Sequence, residues 1–175
     1  MSEQKKHPLI TRLEALADEN SPDRGKLAAL RRALQDPFES YPIVLPYLGE
    51  NPSDKMLDTY ALLAALFASH PKAGNSGNMG DHMRMAAGKR IEATERRFAN
   101  LLRADREDLP FLLRQAVGFI RSKDNVFINW EQLRKDLLAW EHPDQYVQKK
   151  WARGFWGHQS VSPTENNQTT DKKEQ

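Results

Sequence analysis

The sequence has no cysteine. A disulfide framework and a thiolate metal site are therefore excluded, and a reducing compartment, the cytoplasm, is the natural expectation. Long apolar runs are missing too. The longest, Tyr60 to Ala68, is about half of what a helix needs to cross a bilayer, so no membrane association is expected. Met1 to Lys6 is polar and lacks the apolar stretch of a signal peptide. Period-2 alternation is confined to Val126-Phe127-Ile128, too short to build a sheet. Neither charge sign dominates: 26 Lys and Arg stand against 24 Asp and Glu, a net charge of only +2.

Signatures of catalysis are equally scarce. The stretch Gly74-Asn75-Ser76-Gly77-Asn78-Met79-Gly80 invites a phosphate-cradle reading, but Asp81-His82 follows it where a Lys-Ser/Thr pair is required, and a helix precedes it where a strand is required. It reads instead as a flexible connector. The five histidines, His7, His70, His82, His142 and His158, are scattered, with no two at metal-binding spacing on one helix. Asp54 and Asp58 lie four apart, which on a helix is usually solvated surface, and no serine sits in a nucleophile elbow. The expectation is a protein with no catalytic residues, no metal and no cofactor.

What the sequence does have is helical periodicity. Leu9, Ile10, Leu13, Leu16 and Ala17 predict a first helix from about Pro8 to Asp18. Ser21-Pro22 reads as the cap and first residue of a second, which carries Leu27, Leu30 and Leu34 and stops before Pro37. Pro42 and Pro46 reduce the stretch from Tyr41 to Leu48 to a broken short helix. Ser53 caps a longer helix that ends at His70-Pro71, and Lys72 to Asp81 is the clearest loop. Further helices are predicted from Met83 to Ala104 with a break at Gly88, from Asp108 to Arg121, from Trp130 to Trp140 behind an Asn129 cap, and from Asp144 to Phe155. The fold expected is all-α, a helical bundle in two small lobes. Residues 1–72 would form one lobe, 73–82 a flexible loop, 83–156 the second lobe and 157–175 a polar, disordered tail.

Charge is unevenly distributed. Up to Met83 there are 9 Lys and Arg against 11 Asp and Glu; from Arg84 to Arg153 there are 15 against 10. At about 100° per residue, Lys89, Arg96 and Arg103 superpose on one helix face, opposite Ile91, Phe98 and Leu102. Arg106 would extend that row, and Arg114 and Arg121 form a second, away from Leu112, Ala116, Phe119 and Ile120. In the N-terminal half Arg24 and Arg31 share a face beside Arg32. Such rows suit sequence-blind contact with phosphate. They equally suit a solvated face with i,i+4 pairs such as Glu92–Arg96, or a protein interface. Trp130 and Trp140 read as core; Trp151, Phe155 and Trp156, beside Lys149, Lys150 and Arg153, fit either core or a docking surface.

The run Arg96-Arg97-Phe98-Ala99-Asn100-Leu101-Leu102-Arg103-Ala104-Asp105-Arg106, then Leu112 to Val117 and Ile128 to Trp140, resembles the CasB family. These are small subunits of the type I-E CRISPR surveillance complex, Cascade. The helix with Val147, Trp151, Ala152 and Phe155 is similar as well, and the segment Gly25 to Arg32 more loosely. The resemblance implies a two-lobed helical bundle without nuclease activity, present as two copies beside the other Cascade subunits. It also implies contact with the backbone of the CRISPR RNA, the target DNA and the displaced strand. Arg97, Arg103, Arg106, Arg114 and Arg134 match the arginines of the family's motif region, and Arg31 or Arg32 the N-terminal one. Arg97 lies about 80° from the Arg96 row, so it either widens that row or serves a lobe contact. A helical adaptor without nucleic-acid contact, and an enzyme built on the glycine loop and His82, are the rival readings.

Overall fold

The computed structural model of the chain describes residues 5–158. It is all-α, as expected, with nine α-helices among the described residues. They are α1 (Pro8–Leu16), α2 (Arg24–Arg32), α3 (Tyr41–Val44), α4 (Asp54–Ser69), α5 (Met79–Ala87), α6 (Ile91–Leu102), α7 (Leu109–Arg121), α8 (Trp130–Leu138) and α9 (Tyr146–Trp156). The tail expectation, beyond residue 158, lies outside the described residues.

Caps explain most boundaries. Ser53 accepts the Met56 N–H at 3.2 Å to start α4, and the Asn129 side chain accepts the Gln132 N–H at 3.0 Å to start α8, both as predicted. α4 stops before Pro71, which cannot continue a helix. Pro42 and Pro46 split their segment into α3 flanked by 3₁₀ turns at Pro37–Ser40 and Leu45–Tyr47. Two starts differ from expectation. The cap of α2 is Asp23, whose carboxylate takes the Lys26 N–H at 3.0 Å, so Pro22 lies outside the helix. α5 begins at Met79, inside the expected loop, because Asn78 and Asp81 form a capping box: the Asn78 Oδ1 accepts the Gly80 N–H at 2.8 Å, and Asp81 accepts the Asn78 N–H at 2.8 Å.

α1 to α4 pack together, and α4 also lies against α7 and α8, while α5 is clasped by α6, α7 and α9. The helices of the two expected lobes share one continuous apolar core, from Leu9 on α1 through Phe67 on α4 to Phe155 on α9. The tightest approach is between α5 and α9. A Cβ on Gly80 would sit 1.9 Å from the Trp151 carbonyl oxygen, and one on Gly154 would sit 2.8 Å from the Asn78 Oδ1. Only hydrogen at both positions lets these backbones touch. Trp130, Trp140, Trp151 and Phe155 are all buried, which settles them as core, with Trp140 and Trp151 ring centroids 4.9 Å apart and Phe98 stacked on Phe155 at 4.4 Å. Trp156 is half-buried and donates its indole N–H to Glu95 at 3.1 Å.

The short apolar run near residue 127 adds a clip rather than a sheet. Ile128 donates its N–H to the Lys72 carbonyl at 3.1 Å and accepts that of Gly74 at 2.8 Å. Two buried histidines hold the same strip. His70 Nε2 donates to the Val126 carbonyl at 2.8 Å, and His82 Nε2 accepts the Asn129 N–H at 3.1 Å.

Candidate nucleic-acid interface

The ten candidate cations fall into three groups by what their side chains touch. The first group is bound into carboxylates. Arg134 forks onto the buried Glu131, with its Nε 3.2 Å from Oε2 and an Nη 2.6 Å from Oε1, and its other Nη donates to the Tyr60 hydroxyl at 3.0 Å. Glu131 Oε2 also accepts the His7 N–H at 3.0 Å, so one carboxylate ties the start of α1 to α8, with α4 joined through Tyr60. Burial works against both charges, but the fork outweighs it: the Glu131 carboxyl is held below its usual range and the Arg134 guanidinium above its own. Arg106 bonds the Lys55 carbonyl at 3.0 Å, the Thr59 hydroxyl at 3.2 Å and Glu141 at 3.4 Å, a latch from the α6–α7 turn onto α4. Arg32 forks onto Glu39 through two contacts of 3.1 Å.

The second group touches neutral partners. Arg114 donates to the Leu34 carbonyl, joining α7 to the end of α2. Arg97 lies over the Phe119 ring, 5.4 Å from its centroid. This resolves the angular departure seen in the sequence. On α6 the Arg97 side faces α7, while Glu95, on the other flank, reaches Trp156 of α9.

The third group is exposed and without an ion pair among the described residues: Arg31, Lys89, Arg96, Arg103 and Arg121. Arg96 does not meet Glu92, the i,i+4 pair the sequence suggests. Lys89 is not on the helix of Arg96 and Arg103. Gly88, at φ +56°, turns the chain between α5 and α6, and α6 begins only at Ile91. A wheel drawn through Lys89 therefore joins residues that share no helix. Arg103 follows the last residue of α6, and its own N–H closes that helix on the Ala99 carbonyl at 3.3 Å.

One cation escaped the sequence reading. Lys123, just past α7, has its ammonium 5.3 Å from the same Phe119 ring that carries Arg97. The i,i+4 spacing of Phe119 and Lys123 was the available signal. The α6–α7 contact thus brings Arg97 and Lys123 onto one ring, while Arg96 and Arg103 are exposed on and just after α6 and Arg121 is exposed in the last turn of α7. None of these five is held by a carboxylate among the described residues. Such an arrangement offers charge-assisted hydrogen bonds to an anion at little cost in internal bonds.

The groups considered for catalysis are otherwise engaged. His82 is buried, and burial pushes its pKa down to about 4, which leaves the ring neutral and its Nε2 a hydrogen-bond acceptor for the start of α8. The glycine loop carries the α5 cap and the α9 crossing. Among the described residues no three His, Asp or Glu side chains gather at metal-binding distance, and no helix is long and apolar enough to cross a membrane.

Comparison with known proteins identifies the relatives of this arrangement. The sequence profile of the CRISPR-associated protein Cse2 family matches residues 26–156. A protein of Thermus thermophilus described as CRISPR-associated protein Cse2 is 32% identical over 136 residues, 74% of this chain and 78% of its own length. The crystal structure of CasB from M. ruber superposes with a TM-score of 0.72 at 31% identity, covering 87% of this chain and 94% of that one. A chain of a CRISPR RNA-guided surveillance complex superposes with a TM-score of 0.66 at 25% identity, covering 84% and 88%.

Proposed function

The chain belongs to the CRISPR-associated Cse2 family, also called CasB, and from that premise we propose that it is a non-catalytic subunit of an RNA-guided surveillance complex in the cytoplasm, gripping nucleic-acid backbone without reading sequence. Beside the other Cascade subunits and a second copy of itself, it steadies the CRISPR RNA, the target strand and the displaced strand. The observation that carries this reading is a set of five exposed cations on and just after α6 and α7, Arg96, Arg97, Arg103, Arg121 and Lys123, which no carboxylate among the described residues neutralises. Arg106 and Arg134, by contrast, act within the fold, and substituting them would test stability before it tested binding.

The test is a salt series. Binding of the full chain to a labelled single-stranded oligonucleotide is followed by anisotropy, and the slope of log K against log salt is measured. Each phosphate contact on a single strand contributes about 0.7 to that slope. The double variant Arg96→Glu, Arg103→Glu should flatten the slope by roughly 1.4 for two lost contacts, with an unchanged melting temperature. An unaltered slope would remove the α6 face from the interface.

A further inference from the structure

Phe119 holds two positive charges at once, and the chain assembles this from two helices. Its ring is half-buried, packed against the core on one side and open to water on the other. α7 ends at Arg121, but the chain keeps its helical turn for two more residues. The Ser122 hydroxyl donates to the Phe119 carbonyl at 2.7 Å, and the Lys123 N–H donates to that of Ile120 at 3.0 Å. Lys123 is thereby kept about one turn beyond the ring, with its ammonium 5.3 Å from the centroid. Arg97 comes from α6, which packs on α7, and its guanidinium carbon lies 5.4 Å from the same centroid.

Each charge is within 5.4 Å of one point, so the two stand at most twice that distance apart. Neither has a counter-charge among the described residues. Glu95 of α6 accepts the Trp156 indole N–H, and Asp124, next to Lys123, makes no ion pair. An aromatic face that attracts two cations narrows the conformations of two long side chains without cancelling their charge. Arg96, Arg103 and Arg121 have no such ring beneath them among the described residues. An anion arriving at the ring would meet two cations already placed and would relieve their mutual repulsion. It would not have to order both side chains itself.

We propose that Phe119 is a positioning residue that couples Arg97 and Lys123 into one clamp on the same stretch of backbone phosphate, a role that rests on the chain being a backbone-binding subunit. The five exposed cations are then not equivalent. Arg97 and Lys123 act jointly through the ring, whereas Arg103 acts alone.

The test is a double-mutant cycle on the full chain, read by anisotropy with a labelled oligothymidylate. Arg97→Gln and Lys123→Gln should each weaken binding about fivefold, and together about tenfold rather than the roughly twenty-five that independent contacts would give. Arg103→Gln should multiply with either one. Phe119→Leu keeps the apolar contact but removes the ring face. It should weaken binding about fivefold with an unchanged salt slope, because every charge is still present. In that background the Arg97 and Lys123 effects should multiply, and Phe119→Tyr should restore wild-type binding. The cycle with the ring intact changes only exposed side chains, so it stands even if Phe119→Leu lowers the melting temperature. Multiplying effects of Arg97→Gln and Lys123→Gln in the presence of Phe119 overturn the coupling, as does a Phe119→Leu protein that binds as tightly as Phe119→Tyr. If either happens while Arg96→Glu, Arg103→Glu still flattens the salt slope, the clamp alone is lost; a chain that binds no oligothymidylate at low salt overturns the clamp and the backbone-binding role together.

Discussion

His82 makes stability depend on pH in a way that can be isolated. Its ring is 4% exposed and accepts the Asn129 N–H at 3.1 Å through Nε2. A proton on Nε2 would both place a charge in the core and set N–H against N–H. The folded protein therefore holds the pKa at about 4, chiefly through burial, against an ordinary 6.5. Because the folded value lies below the unfolded one, the neutral ring stabilises the fold fully above about pH 6.5. That stability is lost as the pH falls towards 4, and below that the loss is complete. Each unit in the window is worth about 1.4 kcal/mol, so moving from pH 7 to pH 5 should remove about 2 kcal/mol through this residue. Urea unfolding at the two pH values measures the total change, to which His70, also depressed by burial, and Asp136, raised by burial, contribute with opposite signs. The variant His82→Gln keeps an acceptor for the Asn129 N–H but cannot titrate. The difference between the two proteins cancels the other groups, and the variant should lose about 2 kcal/mol less between pH 7 and pH 5. Equal losses in both proteins would refute a buried, neutral His82, as would a ring signal that titrates near 6.5 in NMR.

Three further outcomes follow from the packing. Gly80→Ala should cost about 3 kcal/mol or more in chemical denaturation, because its methyl would meet the Trp151 carbonyl and α9 would have to move. Gly118→Ala, on α7 with nothing near its missing Cβ, should instead gain roughly 0.5–1 kcal/mol. Glu131→Ala should cost about 3 kcal/mol, since it strands the Arg134 guanidinium and frees the His7 N–H; differential scanning calorimetry would show it as a lowered Tm.

The helices were legible because the signals for them are local. Ser53 and Asn129 announced their helices, and Pro71 stopped one, through contacts within four residues. The membership of Trp130 and Trp140 in the core followed from the same periodicity. The candidate interface was read less well, because an arginine's role depends on what stands opposite it. Arg106 and Arg134 look like Arg103 on a helical wheel, yet their partners Thr59 and Tyr60 are 47 and 74 residues away. A helical wheel joins Lys89 to Arg96 across a break that only the backbone turn at Gly88 reveals, and Lys123 gains its setting from the Phe119 ring it shares with Arg97 of the neighbouring helix. Gly80 looked like loop composition, whereas its reason is a carbonyl at Trp151. The Asn78–Asp81 capping pattern was present in the sequence but hidden among the glycines around it.

The first helix bears on how the protein can be handled. The match to the family's sequence profile begins at residue 26, yet Leu9, Ile10 and Leu13 are wholly enclosed and the His7 amide is spent on Glu131. A fragment trimmed to the shared stretch would uncover the side of α4 that α1 shelters and release an internal anion. It should come out of the cell as aggregate, so the opening turns belong in every expression vector.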